Sequence, residues 1–251
     1  MNFRSLHLVR RNFLVWRKLM VSSLIGNLAD PFIYLIGLGF GLGAFVPKMA
    51  DVPYINFLAG GMICYSTMNS ASFEALYSAF TRLKIQRTWE SILYAPMTIR
   101  DVVVGEWLWA ALKSTLSGSA ILVVMYALGI AHGVRPLVAL PVVLLVGLAF
   151  AGLALVVTAL AKSYDFFVFY FTLLVTPMMF VSGVFFPASS LPAPVQAIAA
   201  ALPLTHAVAL ARGITLGTPL PHAALDVAVL AVYGLCGVAV AATLVRRRMM
   251  S

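Results

Sequence analysis

The sequence predicts an all-α integral membrane protein. Six transmembrane helices are expected, with an N-terminal amphipathic helix in the membrane interface, a charged cytoplasmic helix between the second and third spans, and a re-entrant hairpin on the outer side before the sixth. Three observations predict this. Of 251 residues, 62% are hydrophobic and only 10% charged, more apolar surface than a core of this size can bury, so hydrocarbon must do part of the solvating. The apolar residues fall in runs of membrane length; one span needs roughly 20 residues, which leaves room for about six and for no soluble domain. The net charge is +9, but the basic residues flank the apolar runs instead of forming one soluble face. Lipid headgroups and membrane topology account for them better than nucleic acid does.

Residues 1–23 carry Arg4, Arg10, Arg11, Arg17 and Lys18 spread among apolar residues, unlike the single short basic region of a cleavable signal. Leu6, Val9, Phe13 and Trp16 fall on one helical face with Arg10, Arg11 and Arg17 off it, the pattern of a helix lying in the interface. The first span is expected at 24–46, with Asp30-Pro31 reading as a helix start or a break. Gly37, Gly39, Gly41 and Gly43 leave one side of its far half bare. The second, 54–80, is unusually polar: Ser66, Thr67, Asn69, Ser70, Ser72, Glu74 and Ser78. Such residues avoid lipid, so this helix should face partner helices or a wet path, and Glu74 should pair with a basic residue near the cytoplasmic end.

The interval Thr81–Glu106 is the longest charged stretch of the chain and holds the charged helix, expected at 82–96. The third span follows at 102–130. Glu106 and Lys113 lie seven residues apart on one face of it, and Trp107 and Trp109 sit near its entrance as interfacial aromatics do. The fourth is expected at 136–161 and the fifth at 166–186. The fifth opens on an aromatic run, Phe166 to Phe171, that reads either as a lipid-interface belt or as a surface along which a sugar ring or acyl chain slides. Between it and the sixth span at 225–245, residues 187–213 contain two short apolar pieces, Ala193–Leu202 and Thr205–Arg212, separated by Pro203. Each is too short to cross and too apolar for water, hence the re-entrant hairpin.

Charge counting orients the chain. With both termini cytoplasmic, inner segments carry thirteen Lys/Arg and outer segments three (Lys48, Arg135, Arg212), with Lys113 inside the membrane; this is the positive-inside bias. No catalytic constellation stands out. The chain has no G-x-x-x-x-G-K-[ST], no H-E-x-x-H and no C-x-x-C, and its four histidines are scattered. Glu74, Glu106 and Lys113 read as structural intramembrane charges, and Cys64 and Cys236 as small apolar residues.

Four stretches resemble the permease subunit of type-2 ABC exporters, and within that family its nodulation-protein J branch: Asn27 to Gly43 (NLADPFIYLIGLGFGLG), Tyr77 to Lys84 (YSAFTRLK), Ala95 to Glu106 (APMTIRDVVVGE), and Ser182 to Pro187 (SGVFFP) with Leu202 to Thr205 (LPLT). The similarity covers nearly the whole chain. It implies that the charged helix is a coupling helix docking on a separate ATPase subunit, through Gln86, Arg87, Trp89, Glu90, Ile92, Leu93 and Tyr94. It also implies two permease copies with two ATPase copies in a bacterial inner membrane. ATP and Mg would bind the partner, and this chain would hold no cofactor and no metal. The cargo implied is an amphipathic glycolipid such as a lipochitooligosaccharide. Its expected path runs along Ser66, Asn69, Ser70 and Phe73 of the second helix and Phe166, Phe169 and Tyr170 of the fifth. Related branches export polysaccharides or drugs with the same architecture. A six-span enzyme modifying lipid and a passive channel are the readings from other classes.

Overall fold

The computed structural model describes residues 4–250, so the first three residues of the expected interfacial segment lie outside the described residues. Helix α1 (Arg4–Trp16) leads through a 3-10 turn into α2 (Met20–Ile36), which continues as a π-helical turn at Gly37–Gly41 and a 3-10 turn at Leu42–Ala44. Contrary to the expected start or break at Asp30-Pro31, α2 runs through both. A proline costs one ladder bond, a loss that helices in membranes tolerate. Of the four glycines in its far half, only Gly39 is approached tightly, by Ile55.

Strands β1 (Lys48–Met49) and β2 (Val52–Pro53) pair antiparallel, and the turn residues Ala50 and Asp51 both have positive φ (51° and 62°), as a tight hairpin turn requires. Helix α3 (Tyr54–Phe73) is the centre of the bundle. It packs against α2 and against three later helices: α5 (Ile99–Ala127), α6 (Ala139–Leu160) and α10 (Pro203–Leu216). It is buried around nearly its whole circumference, which is why its hydroxyls and Asn69 need not be arranged as one polar stripe.

Two differences from the expected boundaries matter for function. Helix α3 does not stop at 80; π turns at Glu74–Ser78 and Thr81–Ile85 carry the helical backbone to Ile85, so Arg82 belongs to the bundle. The charged helix expected at 82–96 is therefore two pieces. Arg87, in the left-handed region at φ 50°, breaks the run, and only α4 (Thr88–Leu93) is a separate helix. Helix α5 then starts at a capping box: the Thr98 hydroxyl accepts from the Asp101 N–H while the Asp101 carboxylate accepts from the Thr98 N–H.

Helices α7 (Asp165–Tyr170) and α8 (Thr176–Val181) are joined by a π turn into one continuous run that ends at Val181, five residues before the expected 186. Helix α9 (Ala193–Ala201) and α10 meet at an 85° bend at Leu202, where Pro203 opens α10. Helix α11 (Ala223–Met250) closes the chain against α6. That contact is close because Gly152 faces Gly234 and Gly237; a Cβ on Gly152 would sit 2.8 Å from the Gly234 carbonyl oxygen.

Among the described residues, three helices are long and apolar enough to cross a membrane: Ile99–Ala127, Arg135–Leu160 and Ala223–Met249. The bent α9–α10 pair is a fourth if counted as one span. Helix α3 falls outside this set because of its polar residues, while Phe32–Ala44 and Asp165–Val181 are shorter apolar helices.

Candidate functional site

The C-terminal end of the α3 run, the short helix α4, the first half of α5 and helix α1 converge on a buried cluster of charge. Arg82 is its hub. Its Nε donates to Glu106 Oε1 at 2.9 Å, and its Nη2 donates to Glu106 Oε2 at 2.6 Å and to Glu74 Oε1 at 2.9 Å. The fork on Glu106 is the bidentate geometry that makes arginine–carboxylate pairs strong. Lys113 Nζ lies 2.7 Å from Glu74 Oε2, on the π turn that continues α3, and does not pair with Glu106 two turns away on the same face of its own helix.

Neutral donors fill the remaining carboxylate lone pairs. Trp109 Nε1 donates to Glu74 at 2.9 Å, Trp89 Nε1 to Glu106 at 3.1 Å, and Asn12 Nδ2 to Glu106 at 3.1 Å. The carboxylates and both indoles are almost fully buried, Glu106 at 1% exposure and Glu74 at 3%. An ion pair so far from water is tolerated only because each oxygen has a donor. Arg11 completes the set from α1, donating to Asn12 Oδ1 at 3.0 Å. Its guanidinium is held below the usual range by burial and then by the neighbouring Arg82, with Glu106 opposing.

Helix α1 reaches the cluster by crossing α5. Its buried residues are Ser5, Leu8, Asn12 and Trp16; of the expected apolar face, Trp16 is among them, Val9 is half-buried, and Leu6 and Phe13 are exposed, with the Phe13 ring edge-on to Trp109 on α5 at 6.4 Å. Gly105 makes the crossing possible: a Cβ there would lie 2.7 Å from Leu8 Cδ2. As α1 advances about three turns from Ser5 to Trp16, its partners on α5 move only from Gly105 to Trp109, about one turn. The helix therefore crosses the span steeply instead of running along it.

The expected docking residues divide. Trp89, the large anchor expected to face an ATPase, is 1% exposed and bonded into the cluster, and Ile92 and Leu93 pack on the core beside it. Helical spacing forces this, since Trp89, Ile92 and Leu93 share the face turned to α5. Gln86, Arg87, Glu90 and Tyr94 are exposed, Tyr94 at 93%, together with Ile85. The aromatic anchor on the outer face is Tyr94.

The expected cargo path divides as well. Ser66, Ser70 and Tyr170 are inside, Tyr170 sharing a hydrogen bond with Ser72. Phe73, Phe166 and Phe169 are exposed, and Asn69 is half-buried. Phe73 stacks on Tyr77 at 4.6 Å, and Tyr77 meets Tyr164, Phe167 and Phe171, so an aromatic seam joins the end of α3 to the α7 run. The polar partners Asn12 and Trp109 were not singled out as site residues from the sequence. The available signal was that an asparagine and an indole beside buried carboxylates need acceptors.

Comparison with known proteins decides the family. The ABC-2 type transporter family matches residues 5–216. The chain belongs to it. This ABC-2 chain is 51% identical over 241 residues to nodulation protein J of Rhizobium leguminosarum bv. viciae, covering 96% of this chain and 93% of the relative. It is 48% identical to nodulation protein J of Rhizobium meliloti and to that of Bradyrhizobium diazoefficiens, in both cases over 96% of this chain and 92% of the relative. The resemblance read from the four motifs is thus shown, and the ABC-2 chain is a multi-pass membrane transport protein.

Proposed function

We propose that this chain is the transmembrane permease subunit of an ATP-driven exporter, working as a dimer with two copies of a separate ATPase subunit in the inner membrane of a bacterium. Both termini are cytoplasmic. The six spans are the α2 run, the α3 run, α5, α6, the α7–α8 run and α11, with α9–α10 re-entrant from the outer side. The cargo is an amphipathic glycolipid of the lipochitooligosaccharide type, which passes outward along the aromatic seam of α3 and α7. ATP and Mg belong to the partner.

The carrying observation is the two-sidedness of residues 85–94. One side leaves Gln86, Arg87, Glu90 and Tyr94 exposed, while the other pins Trp89 to Glu106. A push on the outer side therefore moves α1, α3 and α5 together, because the same carboxylate and Arg82 hold all three. Charge pairs at the exposed side set the register of docking, and Tyr94 adds a rigid aromatic contact.

The test is co-purification with an ABC ATPase subunit from the same organism. Arg87→Glu combined with Glu90→Arg should abolish association and ATPase stimulation while the chain still inserts in the membrane. Undiminished association would sink the docking assignment. Cargo is tested separately: cells lacking the chain should retain lipooligosaccharide on the inner side, and normal release would remove that substrate.

A further inference from the structure

We propose that the crevice under α1 binds an anionic phospholipid of the cytoplasmic leaflet, its phosphate between α1 and the ion cluster and an acyl chain along α5. Two cavities meet there. The first, of about 300 Å³, is walled by Arg11, Asn12, Glu74 and Arg82. The second, of about 370 Å³, lies between Leu6, Val9 and Phe13 of α1 and Leu112 and Leu116 of α5, with Arg10 lining it too. Trp16, Trp109 and Lys113 line both, so the polar chamber and the apolar slot adjoin.

Three features point to an anion joined to a hydrocarbon. The Trp16 side chain is 8% exposed and its indole N–H is buried with no acceptor, although it lines both cavities. Buried indoles ordinarily find an acceptor, and an unmet donor is costly. The polar chamber also carries surplus positive charge. Arg11, Arg82 and Lys113 face Glu74 and Glu106, three cations against two carboxylates, and Arg10 adds a further cation at the slot. Third, the slot is bounded by the apolar face of an interfacial helix and by the α5 residues one to two turns deeper than the crossing at Gly105–Trp109. In the orientation proposed above, it opens at the depth where acyl chains begin.

A free phosphate would satisfy the chamber and leave the slot unfilled. A neutral lipid would fill the slot and leave the surplus charge and the Trp16 N–H unmet. A phospholipid with net negative charge answers both, in keeping with basic pockets between helices on the cytoplasmic side. The assignment rests on the orientation proposed above but not on transport, and its test needs no ATPase.

The experiment uses the full chain purified in neutral detergent, with lipid retention followed by native mass spectrometry and thermal midpoint followed in parallel. Phosphatidylglycerol, phosphatidylcholine and inorganic phosphate are the probes. Phosphatidylglycerol alone should be retained and raise the midpoint. Trp16→Phe keeps the ring and deletes the donor, and Arg11→Gln deletes a charge; each should weaken phosphatidylglycerol binding by about tenfold, the scale of one hydrogen bond or ion contact. The two variants are independent, so one that fails to fold leaves the other to decide. Equal retention of phosphatidylcholine would reduce the crevice to ordinary lipid contact. An equal effect of inorganic phosphate would remove the lipid, and wild-type binding in a folded variant would remove the site.

Discussion

The two ends of the molecule are held together by different physics. At the end that carries α1 and α4, four chain segments share one charge cluster, in which Arg82 and Lys113 neutralise Glu74 and Glu106 and three neutral side chains complete the bonding. At the end that carries the α9–α10 bend the glue is mostly shape and backbone. Arg212 of α10 donates to the carbonyls of Phe57, Gly183 and Val184 and lies 3.6 Å from the Phe57 ring centroid, while Gly60 and Gly61 of α3 admit it. His206 sits between the Asp226 carboxylate and the Ala200 carbonyl, tying the bend of the hairpin to α11. Directional ion pairs suit the end that, in the proposed function, moves as a unit under a push. Close packing suits the end that must hold a broken helix in place.

The largest effect should come from breaking the hub. Arg82→Leu leaves two buried carboxylates short of a partner, a loss of roughly 3–5 kcal/mol, seen as a collapse of the thermal midpoint or of membrane yield. Adding Glu106→Gln should recover part of it, because the second change removes one orphaned charge. A double variant no better than the single would mean that the cluster is held by packing, and the contrast between the two ends would fail. Next, Gly152→Leu drives a side chain into Gly234 and Gly237 and should cost about 1–3 kcal/mol through overpacking. Its signature is loss of stability without loss of the Arg82 ion pairs.

Much of this was readable beforehand, and the misses share one cause. The N-terminal helix, the polar second helix, the pairing of Glu74 with basic residues and the helix break at Pro203 followed from composition, spacing and a proline. What the sequence could not show was which side of a short helix faces inward. The charge around Trp89 suggested a surface, yet its indole N–H needed an acceptor, and Glu106 was one turn inside the bundle. Likewise Lys113 is seven residues from Glu106 but pairs with Glu74, since α3 brings the nearer carboxylate from another part of the chain. The end of α3 was placed at 80 because charge resumes there. A buried arginine with two carboxylate partners does not end a helix. The Thr98–Asp101 box was legible and marks the start of α5 better than the first apolar residue does.

Trp89 and Tyr94 give the finest test of the comparison, because they stand five residues apart and face opposite ways. Trp89→Phe keeps the ring but deletes the bond to Glu106, and hydrogen bonds to charged groups contribute about 1.5–3 kcal/mol; its thermal midpoint should fall. Tyr94→Ala removes a side chain that touches little else in this chain, so its stability should change by less than about 0.5 kcal/mol. If Tyr94 is where the ATPase grips, that silent variant should nonetheless lose ATPase stimulation in the reconstituted complex, whereas Trp89→Phe should lose stability first and stimulation in proportion. The reverse pattern, a Tyr94 variant that destabilises the isolated chain or leaves stimulation intact, would show that force enters through another exposed residue of the 85–94 turn. Glu90 would be the next to examine, since it shares the outer face and carries charge.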